Sequence, residues 1–293
     1  DISVFPRGTQ YGYTSGGYST ADTYSDLIDK FSFSSDGDAT DVGDLTVTRY
    51  AQSGQSSTTH GYTSGGQSGG GSPTQNVIDK FSFTSDGDAS DVGNITVARY
   101  YLTGQSSSTY GYASGGHSPS SNVIDKFSFS SDGDAADVGN MTVARRGPSG
   151  QSSSTHGYVS GGSGYSDVID KFSFSSDGDA TDIGNLTVAR ERGAGQSSSE
   201  SGYTCAGWTG SNSDVIDKFS FSSDGDASDV GDVAVARYGL SGQSSTTHGY
   251  ASGGFDGSST YTTIEKHSFS SDGDTSDVGE ITDSRGRGTG QQY

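Results

Sequence analysis

One cysteine, one tryptophan, one methionine and four prolines are spread over 293 residues, and only 28 % of the side chains are apolar. A lone Cys205 can form neither an intramolecular disulfide nor a paired-cysteine zinc site. Basic residues are scarce as well, 16 against 36 acidic ones, for a net charge of -20. That balance argues against nucleic acid as a partner held through a basic surface. No apolar run approaches the roughly 18 residues of a helical bilayer span, so membrane insertion is not expected. The sequence opens at Asp1 with neither an initiator Met nor a charged-then-apolar leader, which is expected of a processed product or a segment of a longer one. Low hydrophobicity with high net charge would by itself indicate disorder.

Repetition overrules that indication. The string Gly-Tyr-x-Ser-Gly-Gly begins at Gly12, Gly61, Gly111, Gly157 and Gly249, with a degenerate copy from Gly202 to Gly207. The spacing of about 45–50 residues is that of a repeat architecture. Between the copies runs a near-constant block, in the second repeat Val77-Ile78-Asp79-Lys80-Phe81-Ser82-Phe83, then Ser85-Asp86-Gly87-Asp88, then Ile95-Thr96-Val97-Ala98-Arg99. The apolar period is two, and β-branched and aromatic residues alternate with Gly-rich punctuation, so these are strands. Asp86-Gly87 signals a hairpin turn. Four strands per repeat are expected, in the third repeat over 104–108, 111–115, 123–129 and 141–145.

Four antiparallel strands repeated six times predict an all-β fold, one six-bladed β-propeller domain over 1–293. Radial stacking covers both faces of each thin sheet, and small residues such as those of Gly-Gln-Ser-Ser suit the narrow centre. The sequence ends at Gly290-Gln291-Gln292-Tyr293, where a first strand should begin, whereas residues 1–10 lack that strand's motif. The C-terminal segment is therefore expected to supply the innermost strand of the blade containing Tyr13, closing the ring by pairing the two terminal segments and removing an open edge.

The Gly-Gly doublet at a strand end, the Ile-Asp-Lys-Phe strand and the Arg closing the next segment resemble the kelch repeat over essentially the whole chain. The kelch tryptophan is absent, the region reading Asp91-Val92-Gly93, and Phe81 stands where a tyrosine is usual. The near-identical wording of the repeats, as in Asn122 through Gly133, is also similar to kelch-like repeat proteins of marine bacteriophages. That resemblance implies a virion component. The fold alone implies no activity.

Comparison among the repeats separates frame from site. Six lysines (30, 80, 126, 171, 218, 266) occupy one repeat position and Arg49, Arg99, Arg145, Arg190, Arg237 and Arg285 another. Charges used identically in every blade are expected to be structural partners of the repeated Asp. Two segments vary: one after the Gly-Gly doublet, from Tyr18–Ser25 to Phe255–Thr263, and one after the Arg, from Tyr50–Ser53 to Gly286–Thr289. In a four-stranded meander both emerge on one face, and variable loops on a constant frame suit recognition. Aromatics collect there: Trp208, Tyr18, Tyr24, Tyr100, Tyr101, Tyr165, Phe255 and Tyr261 are the candidate binding residues.

Candidate chemistry is thinner. The Asp-Gly-Asp segments lack the ligand run and the bidentate Glu of a calcium loop, so turn chemistry accounts for them. The Asn-x-Thr sites at Asn94, Asn140 and Asn185 share their slot with Asp44, Asp232 and Glu280, which fits a polar strand position. Cys205 near Trp208 would suit a kelch-type oxidase only with a cross-linked Tyr–Cys pair and further Tyr and His ligands, and no such constellation is legible. The expectation is a non-catalytic virion-surface or extracellular propeller, without cofactor or metal, presenting its variable loops to host-surface glycans or to other virion or surface proteins. A purely architectural capsid or tail subunit is the main alternative, and a secreted oxidase the lesser one.

Overall fold

The alternation in Val-Ile-Asp-Lys-Phe-Ser makes a strand in every repeat, and three further strands assemble around it. The computed structural model describes residues 7–19, 23–69 and 73–293; among these it forms six four-stranded antiparallel sheets. Their innermost strands neighbour one another in unbroken succession back to the first, so the sheets are blades of a closed ring. The first blade is composite: Thr289–Gln292 pairs with Tyr11–Tyr18, which pairs with Tyr24–Ser32 and then Thr40–Asp44. The expected clasp of head and tail is formed, with Tyr13 opposite Gln291.

The third blade shows where the sequence reading holds and where it slips. Its strands are Thr103–Ser106, Tyr110–Ser114, Val123–Ser128 and Ala136–Asn140. The first three overlap the expected segments. The fourth lies ahead of 141–145. The reason is that the Thr142 N–H donates to the Asp170 carboxylate of the next blade at 3.1 Å, and the Thr142 hydroxyl does so at 2.6 Å. Those groups are thereby withdrawn from a strand ladder. Met141 turns inward and is buried.

Blades adhere through one repeated arrangement. Each second-strand tyrosine enters between two aromatic rings of the following blade. Tyr62, for example, stacks on Phe129 at 4.8 Å and tilts against Phe127 at 5.5 Å. Such pairs add about 0.5–1.5 kcal/mol each beyond the area they bury. The six patterned arginines, all buried, reach the third-strand carboxylate of the next blade: Asp79, Asp125, Asp170, Asp217, Glu265 and, across the closure, Asp29. The lysines bridge to the first Asp of the next blade's turn, as Lys126 does to Asp177 at 2.5 Å. At the centre Gln55 Nε2 donates to the Tyr112 carbonyl at 2.9 Å, and each inner-strand glutamine repeats this bond. Glycine is required there, since a Cβ on Gly104 would overlap the Gly54 carbonyl oxygen. The scarcity of large apolar residues is thus met by polar side chains buried with partners.

Candidate functional site

Both variable segments emerge on one face and are tied together. The residue after the patterned Arg bridges to the residue after the Gly-Gly doublet, as in Tyr50 with Gln67, Tyr100 with His117, Glu191 with Trp208 and Tyr238 with Phe255. One position further along, Ala51, Tyr101, Gly147, Arg192, Gly239 and Arg287 all hold left-handed backbone, with φ between 55° and 67°. The N–H of each donates to the carbonyl of its predecessor at 2.6 or 2.7 Å, and Ala51 completes the circuit on Arg287. The outcome is a six-membered ring of backbone hydrogen bonds around the axial mouth. Four of its members are not glycine, and left-handed backbone disfavours such residues by roughly 1 kcal/mol or more. The closed circuit holds them there.

Side chains carried by this ring and its neighbours form two aromatic arcs. One runs from Tyr24 to Tyr18 (5.4 Å), Tyr50 (5.8 Å from Tyr18), Tyr101 (6.4 Å), Tyr100 (5.0 Å) and His117 (5.3 Å). The other joins Trp208 to Tyr238 and Tyr238 to Phe255, each at 5.3 Å. Arg287 sits between the arcs, its guanidinium carbon 5.6–6.0 Å from the rings of Tyr18, Tyr50, Tyr101, Tyr238 and Phe255. Arg192 lies 4.8 Å from Tyr101 and 5.6 Å from Tyr238. Burial pushes the Tyr50 phenol up to about 12, with Tyr101 acting in the same direction and Arg287 against it.

Of the eight aromatics expected to share a surface, six belong to these arcs. Tyr165 stands apart, 56 % exposed. Tyr261 is tied to the frame: its hydroxyl donates to Asp256 at 2.8 Å and its ring lies 5.3 Å from the Arg237 guanidinium. Asp256 is in turn held below the usual carboxylate range, chiefly by the N–H groups of Ser259 and Ser258. Sequence reasoning placed Tyr50 and Tyr238 in the variable segment after the patterned Arg, at the repeat position of Tyr100, but singled out neither as a binding residue. It also passed over Arg192 and Arg287. The signal available was arithmetic: six lysines and six patterned arginines leave only Arg7, Arg146, Arg192 and Arg287 of the 16 basic residues.

The opposite face differs in kind. There the first turn Asp pairs with Lys, and the second accepts a backbone N–H from the preceding blade, as Asp134 does from Asn94 at 2.9 Å. The Asn94 side-chain amide donates to the same oxygen at 3.1 Å. Those carboxylates serve as blade-to-blade links. Cys205 points into the core, its thiol pushed up to about 12 by burial, with Gln196 Oε1 at 2.7 Å and His267 Nε2 at 3.9 Å. A buried neutral thiol is not a ready nucleophile.

Comparison with protein-family models finds no match, and comparison with curated protein sequences finds none either.

Proposed function

We propose that this chain is a non-catalytic recognition propeller, exposed on a virion or otherwise extracellular, whose loop face binds a carbohydrate or protein partner. The observation that carries the reading is the convergence of unrepeated aromatics from blades at both ends of the chain on a single axial mouth. Aromatic rings beside hydroxyl groups offer flat contact area at low entropic penalty. The kelch-like Gly-Gly doublet and patterned Arg support a kelch-type frame beneath those loops. The test is a glycan array together with a surface-protein panel, comparing wild type with Trp208→Ala, Tyr101→Ala and, on the opposite face, Lys126→Met. Loss of binding in the two loop variants with retention in Lys126→Met is expected. Equal binding by all would refute the reading.

One observation favours an architectural virion subunit as a second reading. Val97, Val143, Val188 and Val235 occupy one repeat position and are 41–56 % exposed. Repeated apolar exposure fits coverage by a neighbouring subunit. Stable co-purification with capsid or tail proteins, abolished by Val→Asp changes at those four positions and untouched by the loop variants, would favour it.

A further inference from the structure

The twelve patterned cations are each held by a carboxylate of the next blade. Three of the remaining four gather at the axial mouth. Arg192 Nη2 lies 3.0 Å from Glu191 Oε1, and Arg146 Nε lies 4.0 Å from Glu191 Oε2, so two cations share one anion. Arg287 makes no ion pair with any described residue, and its Nε is buried without a partner. The rings around it compensate part of its charge through their faces. They cannot serve the buried Nε–H, because a guanidinium needs acceptors in its own plane. A chain with a net charge of -20 thus keeps a local excess of positive charge at the mouth.

We propose that this mouth is a receptor for the carboxylate or sulfate group of an acidic saccharide, with Arg287 as the principal donor and Arg192 as the second. The inference rests on the recognition reading above and names its ligand class. Arg192 and Arg287 line one cavity of about 70 Å³, walled by Tyr101 and Leu102. Such a space admits an anionic substituent, while a sugar ring lies outside against the faces of Tyr18, Tyr50 and Tyr101. Beneath it the channel is polar, with Ser53, Thr103, Ser149 and Ser241 among its lining residues. Hydroxyls there suit a ligand rich in hydroxyls, and they do not form the apolar side-chain pocket that anchors a peptide. A guanidinium meets a carboxylate or sulfate through two parallel bonds, which fixes orientation as well as charge.

The test uses the full chain and its Arg287→Ala, Arg192→Ala and Tyr101→Ala variants. Ala51 already occupies the equivalent ring position at φ 55°, so alanine is compatible with this backbone. Calorimetric titrations would use pentagalacturonate, its methyl ester, a sulfated galactan oligosaccharide, a neutral galactan and a poly-glutamate peptide. We expect at least one acidic saccharide to bind roughly 10- to 100-fold more tightly than its uncharged counterpart. Arg287→Ala should abolish that preference, bringing the affinity for the acidic saccharide down to that of the same variant for its uncharged counterpart. Arg192→Ala should reduce the preference by a smaller factor. Equal affinity for charged and neutral saccharides, lost in Tyr101→Ala, would overturn the anion receptor and leave the recognition reading standing. Binding of poly-glutamate but no saccharide, lost in Arg287→Ala, would overturn the saccharide assignment. No binding to any probe, with a glycan array and protein panel also blank, would overturn both.

Discussion

Two cations per blade repeat with equal regularity in the sequence, and the structure gives them unequal weight. Arg145 and Asp170 are both fully buried, 3.0 Å apart, and Arg145 Nη2 also donates to the Val159 carbonyl at 3.0 Å. Lys126 and Asp177 are closer, at 2.5 Å, but their side chains are 21 % and 58 % exposed. Arg145→Met leaves the Asp170 carboxylate buried with only the N–H and hydroxyl of Thr142. Removing one member of a buried pair destabilises by about 3–5 kcal/mol, because the desolvation of the survivor is no longer compensated. An exposed pair contributes roughly 0–1 kcal/mol. At about 2–4 °C per kcal/mol for a large domain, with this chain at the lower end, Arg145→Met should lower the melting temperature by roughly 6–10 °C and Lys126→Met by about 2 °C or less. Circular-dichroism melts at neutral pH, with and without 0.5 M salt, would check this. Salt should shrink the lysine effect and spare the arginine effect. Equal shifts in the two variants would refute the reasoning.

Two further stability predictions concern the sixth blade. His267 stands where the other five blades carry Phe, and burial pulls its pKa from 6.5 down to about 4. As pH falls the unfolded chain takes up this proton first, so the contribution of neutral His267 is complete above about pH 6.5 and is lost on descending to about 4. His267→Phe should flatten the stability profile across that window by up to roughly 3 kcal/mol; urea melts that give the variant the same stability difference between pH 7 and 4.5 as wild type would exclude it. Glu265 replaces the usual Asp, and its Oε2 accepts from the Ala234 N–H at 3.1 Å and the Thr275 hydroxyl at 2.5 Å. Thr275→Ala should destabilise by about 1–2 kcal/mol, and the triple change Ala234→Thr, Glu265→Asp, Thr275→Ala should return to near wild type; a silent single variant would contradict the assignment.

How far the sequence could be read depended on what each feature rests on. Ring closure was legible because Gln291 completes a repeat phrase and pairs as its five counterparts do. The inter-blade role of the patterned charges was legible because symmetry implied it. The outer strand was misplaced because Ile95 and Met141 look like strand residues, whereas their segment follows the next blade's carboxylate rather than a ladder. The aromatic arcs were half legible. Position after the Gly-Gly doublet marked Tyr18, Trp208 and Phe255. Nothing local places Arg287 beside Tyr50, more than two hundred residues away, until the ring is closed.

The mouth also explains how so regular a frame can support a specific surface. Ala, Tyr, Gly and Arg occupy the same left-handed position in different blades, within a circuit bonded entirely through backbone groups. Geometry there does not depend on which side chain is present, so substitutions change the chemistry of the mouth without moving its walls. The opposite face has no such freedom, since its Asp side chains are themselves the links between blades. Side-chain identity is therefore constrained by folding on one face and released from it on the other. A binding function can diversify only where that constraint is absent. Gly147→Ala and Gly239→Ala should each lower stability by about 1–2 kcal/mol, since the new Cβ sits at left-handed φ and 3.1 or 3.0 Å from an arginine Cγ, yet the ring should still close because Ala51 already holds an equivalent place. Gly104→Ala on the inner strand, facing the Gly54 carbonyl, should unfold the ring or fail to assemble it.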